Sequence, residues 1–251
     1  MNFKELLKLA RSAAYRREKG LTLLTGRILI SEYLEMHKSV PFLFYSLAEG
    51  KETEGSPFHE SVNAEIKTRL RSFEVKGITD EPAPQGLIAV VPIPKPKFNM
   101  ANYLLVPHRI RDPRNLGAMI RLASAFGFKV YPVESCDPYG LEVLRCARGM
   151  HLSKRDVIID TRLESYYRIG AELPNKLKTI LKPGLVQITK KVPENTPIAL
   201  VMGGETTGLD NQIAFDAHAM IGTVDGVSLN VSTAAAILMS RLMFSNKSNT
   251  P

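Results

Sequence analysis

An α/β fold built on a parallel sheet is what this sequence predicts, and three observations predict it. From Tyr103 onward, short apolar runs alternate with helix-length segments, the pattern of βα units whose helices cover both faces of a parallel sheet. Several of these runs break into turns bearing Asn or Gly, as strands do at the carboxyl edge where open α/β sheets bind ligands. Ahead of that block, Pro92, Pro94 and Pro96 stand at alternate positions, forming a stiff extended stretch that stops any regular element. The expected organisation is a smaller domain over 1–95 and a larger one over 96–251.

In the first domain, residues 3–19 read as one basic amphipathic helix with Leu6, Leu7, Ala10 and Ala14 on one side. A strand over 21–24 ends at Gly26, a helix over 27–36 follows, and 42–46 is a strand. Residues 50–57 are polar and read as a loop. Residues 62–70 read as helical, 72–76 as extended and 87–91 as a strand.

In the second domain, strands are expected at 103–108, 128–132, 156–160, 185–189, 198–202 and 219–224. Helices are expected at 115–126, 139–148, 163–169, 210–217 and 231–244. The final helix is apolar on nearly every side, which calls for burial on more than one face, and a symmetric dimer would supply it.

A chain of 251 residues with 44% hydrophobic and 23% charged residues has the composition of a globular protein able to bury a sizeable core. The formal charge of +8 divides into +2 over 1–95 and +6 over 96–251, so the basic excess is not confined to a tail. It favours an anionic partner, nucleic acid ahead of a membrane surface. Cys136 and Cys146 are too few for a disulfide framework and lack metal-ligand spacing, so a reducing compartment and no metal site are expected. No run approaches the roughly 20 apolar residues of a membrane-spanning helix. The basic first twenty residues suit a presequence of an organelle or an RNA-facing helix; Glu5 and Glu18 favour the helix. The cytoplasm is therefore the expected location, with a mitochondrial or other organelle matrix as the alternative.

Three stretches carry the chemistry. The first, Asp112 to Gly127, follows a strand and opens a helix. Capping by Asp112 or Asn115 is ordinary there, but Arg121 stands among Ala118, Met119, Ile120, Leu122 and Ala123, where an unpaired cation is costly. The second is an apolar strand, 198–202, breaking into Gly203 and Gly204, with Glu205 as a carboxylate at the sheet edge. The third is Ser228 to Ser232, directly ahead of the final helix, where Ser228, Asn230 and Ser232 are all good helix caps.

Together, in this order, the stretches resemble the three signature motifs of the SpoU (TrmH-like) RNA 2′-O-ribose methyltransferases of the SPOUT superfamily. Asn115-x-Gly117-Ala118-x-x-Arg121 is similar to the first, Gly203-Gly204-Glu205-x-x-Gly208-Leu209 to the second, and Ser228-Leu229-Asn230-Val231-Ser232 to the third. Upstream, Lys8 to Gly26 and Thr79 to Val91 resemble the two ends of the family's L30e-like substrate-binding domain. Two segments depart from the family pattern: Cys146 to Gly149, where Ser and Gly are usual, and Met220-Ile221-Gly222, where Ile-Pro-Met is usual.

The resemblance implies a parallel sheet with a C-terminal deep trefoil knot, preceded by the L30e-like domain. It implies S-adenosylmethionine as cofactor, held by Gly203, Gly204, Met220, Ile221 and Leu229, and RNA as partner, ribosomal RNA ahead of tRNA. Arg121 would stabilise charge on the ribose 2′-oxygen, a role that suits a guanidinium, which stays protonated, better than that of a general base. Asn115 and Asn230 would orient the ribose and Arg121, Ser228 would contact the hydroxyl or adjacent phosphate, and Glu205 would pair with Arg121. A competing reading is a catalytically inactive RNA-binding ribosome assembly factor with the same fold. A dinucleotide-dependent oxidoreductase is disfavoured, because no Gly-x-Gly-x-x-Gly follows the first strand.

Overall fold

The computed structural model describes residues 1–46, 58–79, 86–153, 157–204, 208–209 and 213–245. In chain order, its first elements are α1 (Phe3–Arg11), α2 (Ala13–Lys19), β1 (Leu21–Thr25), α3 (Arg27–His37), β2 (Val40–Tyr45), α4 (Phe58–Ser61), β3 (Ala64–Arg69), α5 (Ser72–Thr79) and β4 (Leu87–Pro92). These are followed by β5 (Tyr103–Pro107), α6 (Pro113–Phe126), β6 (Lys129–Val130), α7 (Leu141–Cys146), α8 (Met150–Ser153), β7 (Tyr167–Ala171), β8 (Val186–Ile188), β9 (Ile198–Met202), β10 (Ala217–Ile221) and α9 (Val231–Ser245). The polar loop expected at 50–57 lies outside the described residues.

Two compact units divide the chain, one holding Met1–Lys95 with Tyr139–Arg155, the other Pro96–Pro138 with Asp156–Pro251. The block after residue 95 is therefore not continuous, because 139–155 packs inside the first unit. Within that unit the Thr22 hydroxyl donates to the Tyr139 carbonyl at 2.7 Å, and the Arg145 guanidinium donates to the Thr79 carbonyl at 2.6 Å. Arg148 pairs with Glu32 of α3. The Cys146–Gly149 segment is thus structural packing within the first unit.

The first unit is a four-stranded sheet in the order β1-β4-β2-β3, with β4 antiparallel to β1 and β2, and β2 parallel to β3. Leu6, Leu9, Leu23, Phe44, Val75, Ile78, Ile88 and Val90 form its core. The single helix expected over 3–19 is two. Ser12 is extended between them, at φ −117° and ψ 109°, and its hydroxyl accepts the Tyr15 N–H, so it ends one helix and caps the next. The assignments at 62–70 and 72–76 exchange places. Residues 64–69 form an edge strand, where charges at Glu65, Lys67 and Arg69 are tolerated because one side of the backbone has no strand neighbour. Residues 72–79 are helical because Glu74 accepts the Arg71 N–H at 2.8 Å and Val75, Ile78 and Thr79 fall on one buried face.

The second unit is a six-stranded sheet in the order β6-β5-β9-β7-β10-β8; the first five strands run parallel and β8 joins antiparallel at the edge. The parallel α/β expectation holds for this unit. The residues of β9 and all but Tyr103 of β5 are buried, as strands covered on both faces must be. The helix expected at 163–169 is a short 3₁₀ turn, Leu163–Ser165, running into β7. Of the helix expected at 210–217, residues 210–212 lie outside the described residues, 213–216 are not helical, and Ala217 begins β10.

Helix α6 starts at Asp112, whose carboxylate accepts the Arg114 N–H at 2.8 Å, with Pro113 in the first turn and Gly127 left-handed at the stop. The Arg114 hydrogen bonds hold the Asp112 carboxyl below its ordinary range. A carboxylate whose folded pKa is depressed stabilises the fold above its unfolded pKa, and that contribution disappears as pH falls through the folded value. Asp112→Ala is expected to cost about 1 kcal/mol. Thermal melts should show a midpoint lowered by roughly 2–4 °C at neutral pH, a difference that shrinks as the pH falls through the depressed Asp112 carboxyl pKa.

Candidate active site at the carboxyl edge of the parallel sheet

The carboxyl ends of β7, β9 and β10 and the start of α9 enclose a cleft of about 280 Å³. That is close to the low end of the roughly 300–1,000 Å³ usual for small-molecule sites. Gly203, Gly204 and Gly208 line it from the turn after β9, Ile221 from the end of β10, Thr223 from just beyond it, and Val227 to Leu229 from the approach to α9. The sequence determines this shape through close backbone approach. A Cβ on Gly203 would lie 2.3 Å from both the carbonyl carbon and the oxygen of Gly208, so only glycine lets the turn fold back onto its own start. That return is held by the Gly208 N–H donating to the Gly204 carbonyl at 2.8 Å.

The second glycine contact explains a departure noted in the sequence. Gly222 stands where a Cβ would meet the Lys182 carbonyl oxygen at 2.1 Å, and its N–H donates to the Leu185 carbonyl at 2.8 Å. The loop around 182–185 is therefore packed against bare backbone at residue 222. Of the expected cofactor residues, Gly203, Gly204, Ile221 and Leu229 line the cleft. Met220 does not line it: its side chain is fully buried in the sheet, since successive residues of a strand face opposite ways.

Asn115 and Asn230, 115 residues apart in sequence, meet here. The Asn230 side-chain oxygen accepts the backbone N–H groups of Ser232 and Thr233, at 2.9 and 3.4 Å, and the Ser232 hydroxyl at 2.6 Å. Its amide nitrogen is thereby turned toward Asn115 and donates to the Asn115 side-chain oxygen at 2.9 Å. Asn230 is thus the cap of α9 and also the tie to α6, so the plain capping reading and the site reading are both correct for it. Asn115 itself is buried, and capping of α6 falls to Asp112.

Ser228 lines the cleft. Glu205 lies outside the described residues. Arg121 is exposed and is not part of the cleft wall, which corrects the expectation that it is embedded among apolar neighbours. The reason is helical phase: Leu116, Met119, Ile120 and Ala123 point inward, and at 100° per residue Arg121 falls on the opposite face with Arg114 and Ala125. Sequence reading also missed Glu172 and Lys176, a cleft-wall ion pair at 3.3 Å. Recognising 167–171 as a parallel strand would have placed both just past its carboxyl end.

The model of the SpoU rRNA Methylase family matches residues 102–240. The chain belongs to that family. A 23S rRNA (guanosine(2553)-2′-O)-methyltransferase, RlmP, from Bacillus subtilis is 30% identical over 171 residues, covering 66% of this chain and 67% of that protein. A 23S rRNA (guanosine-2′-O-)-methyltransferase, RlmB, from Blochmanniella floridana is 32% identical over 200 residues, 71% of this chain and 75% of its own. Among solved structures, the SpoU methyltransferase AviRb from Streptomyces viridochromogenes in complex with AdoMet superposes with a TM-score of 0.75 at 19% identity, covering 99% of this chain and 98% of that one. The SpoU family match begins at residue 102, within the second unit, and includes all three motif stretches.

Proposed function

We propose that this SpoU-family protein is an S-adenosylmethionine-dependent RNA 2′-O-ribose methyltransferase that acts on ribosomal RNA. The observation that carries the reading is the Asn115–Asn230 hydrogen bond, which ties the first motif to the third at the start of α9, beside a cleft whose floor is the glycine turn of the second. The RlmP and RlmB relatives name ribosomal RNA and the 2′-oxygen; the AviRb complex names the cofactor.

The cleft fits a molecule with an extended polar backbone. Gly203, Gly204 and Gly208 bring side-chain-free backbone to the cleft wall, while Val227, Leu229, Ala234 and Leu238 supply an apolar wall for an adenosyl group. When bound, S-adenosylmethionine supplies the activated methyl group, so the protein's task is orientation and charge stabilisation. Gly203, Gly204, Ile221 and Leu229 hold the cofactor, with Met220 supporting from the core. Asn115 and Asn230 fix the ribose by neutral hydrogen bonds, and Ser228 contacts the hydroxyl or its neighbouring phosphate. Glu205 would orient Arg121, and Arg121 would stabilise the negative charge that develops on the 2′-oxygen as it takes the methyl group from the sulfonium, its proton passing to solvent water. The exposed α6 face carries Arg121 beside the Arg114–Asp112 ion pair, and Arg121 would meet RNA phosphate on its way to the cleft.

Three finer features belong to the same proposal. The C-terminal part of the second unit forms a deep trefoil knot, a reading supported by the strand order, in which β9 enters between β5 and β7. Residues 1–95, the larger part of the first unit, form an L30e-like RNA-binding domain, and 96–251 apart from the 139–155 segment carries the methyltransferase. The protein is a homodimer through α9, where Ala236, Ile237 and Met243 remain only partly buried although Ala235, Leu238, Met239 and Leu242 fill the core. We infer the cytoplasm as its location. The mitochondrial matrix is the second reading, favoured by vertebrate relatives named as mitochondrial rRNA methyltransferases.

Titration calorimetry with S-adenosylmethionine is expected to give saturable binding with one site per chain. Labelled methyl transfer to ribosomal RNA from cells lacking the protein is expected to yield a 2′-O-methylated nucleoside, with no transfer to DNA, which lacks the accepting hydroxyl. Absence of both heat and transfer would replace this reading with that of an assembly factor.

A further inference from the structure

A second cleft, of about 1030 Å³, lies wholly within the first unit. It opens where the carboxyl ends of β2 and β3 meet the first turn of α5, and its volume is at the top of the range, about 1,000 Å³, for sites that hold a single small ligand. Phe73 dominates the opening. This residue is 63% exposed on the first turn of α5, whereas Val75 and Ile78 of the same helix are buried in the core, so its side chain contributes little to folding. The Arg71 guanidinium lies 5.3 Å from the ring centroid, and Arg69 lines the same cleft.

Charge distinguishes between the possible occupants. Glu74, the carboxylate lining this cleft, accepts the Arg71 N–H and stands 4.0 Å from the Arg71 guanidinium, which lies over one face of the Phe73 ring, so two guanidinium groups face a single carboxylate and the cleft keeps a positive balance beside the exposed ring. An aromatic ring that stacks on a base, flanked by arginines that can meet phosphate, is the combination that single-stranded nucleic acid requires. A bare apolar protein surface would gain nothing from the two cations. We infer that this cleft binds a short single-stranded segment of RNA, with one base stacked on Phe73 and the adjoining phosphates met by Arg69 and Arg71. The inference rests on the reading of the chain as an RNA methyltransferase, but names a contact surface in the unit that lacks the cofactor cleft.

The test uses the full chain and a short fluorescein-labelled single-stranded RNA, with anisotropy as readout and S-adenosylmethionine calorimetry alongside. Phe73→Ala is expected to weaken RNA binding by roughly 5- to 150-fold, the range for loss of one base stack. Phe73→Trp should restore it, and neither variant should change cofactor affinity or the melting midpoint. Arg69→Ala and Arg71→Ala should each make binding less dependent on salt. Ultraviolet crosslinking to ribosomal RNA should yield an adduct on the peptide containing Phe73. If the wild type binds and methylates RNA while Phe73→Ala is indistinguishable from it and no adduct forms there, this inference falls alone, and the cleft serves a protein partner or none. If the wild type binds cofactor but no RNA, the inference and the RNA-directed reading fall together.

Discussion

Arg121→Ala is expected to lower methyl transfer by about 10²- to 10³-fold, the usual cost of removing one group that stabilises charge in a transition state. The structure makes this a clean test because the side chain is exposed on α6 and is not part of the cleft wall. Alanine is the better helix former, so the melting midpoint should hold or rise slightly, and cofactor affinity should match the wild type. Any defect must then arise when RNA is present. Loss of turnover with KM unchanged would place Arg121 at the reacting oxygen, whereas a rise in KM alone would assign it to holding the RNA on the α6 face. Arg121→Lys separates the two further: a phosphate contact survives as a point charge, but a planar guanidinium positioned by a carboxylate does not. Normal turnover in Arg121→Ala would remove Arg121 from the catalytic proposal and leave the asparagine pair and Ser228 as the groups that act on the ribose.

The Arg121 exposure also shows where sequence reading reaches its limit. The strands at 103–107 and 198–202 were legible because burial on both faces demands unbroken apolar runs, and no other element satisfies that pattern at five residues. The three motif stretches were legible because each couples a strand end or helix start to residues with few alternative uses. What could not be read was set by tertiary neighbours. Glu65 and Lys67 favour a helix in isolation, yet pairing with β2 makes 64–69 an edge strand. Residues 139–155 follow the chain into the second block by position, but Thr22 and Glu32 in the first unit are their partners. Glu172 and Lys176 carry no local signal at all; only the registration of β7 beside β9 and β10 brings them to the cleft.

Gly203→Ala is expected to abolish cofactor binding. The added methyl would lie 2.3 Å from the Gly208 carbonyl group and 2.6 Å from the Leu209 backbone nitrogen. These are main-chain atoms of the turn that floors the cleft, so the contact is not relieved by rotating a side chain. The turn must move outward, breaking the Gly208 to Gly204 hydrogen bond and displacing the peptide groups proposed to hold the cofactor. Overpacking of this kind destabilises a fold by about 1–3 kcal/mol, which leaves a marginal but folded protein. Gly127→Ala separates local from general damage. Its residue is left-handed at φ 74° with open space around the position of a side chain, so it should lose about 1–2 kcal/mol of stability. It should nonetheless bind S-adenosylmethionine like the wild type, because Gly127 ends α6 outside the cleft. Calorimetry on the two variants, at a temperature where both are folded by circular dichroism, reads the difference directly. Wild-type affinity in Gly203→Ala would mean that the cofactor does not rest on this turn, and the site would have to be sought elsewhere on the second unit.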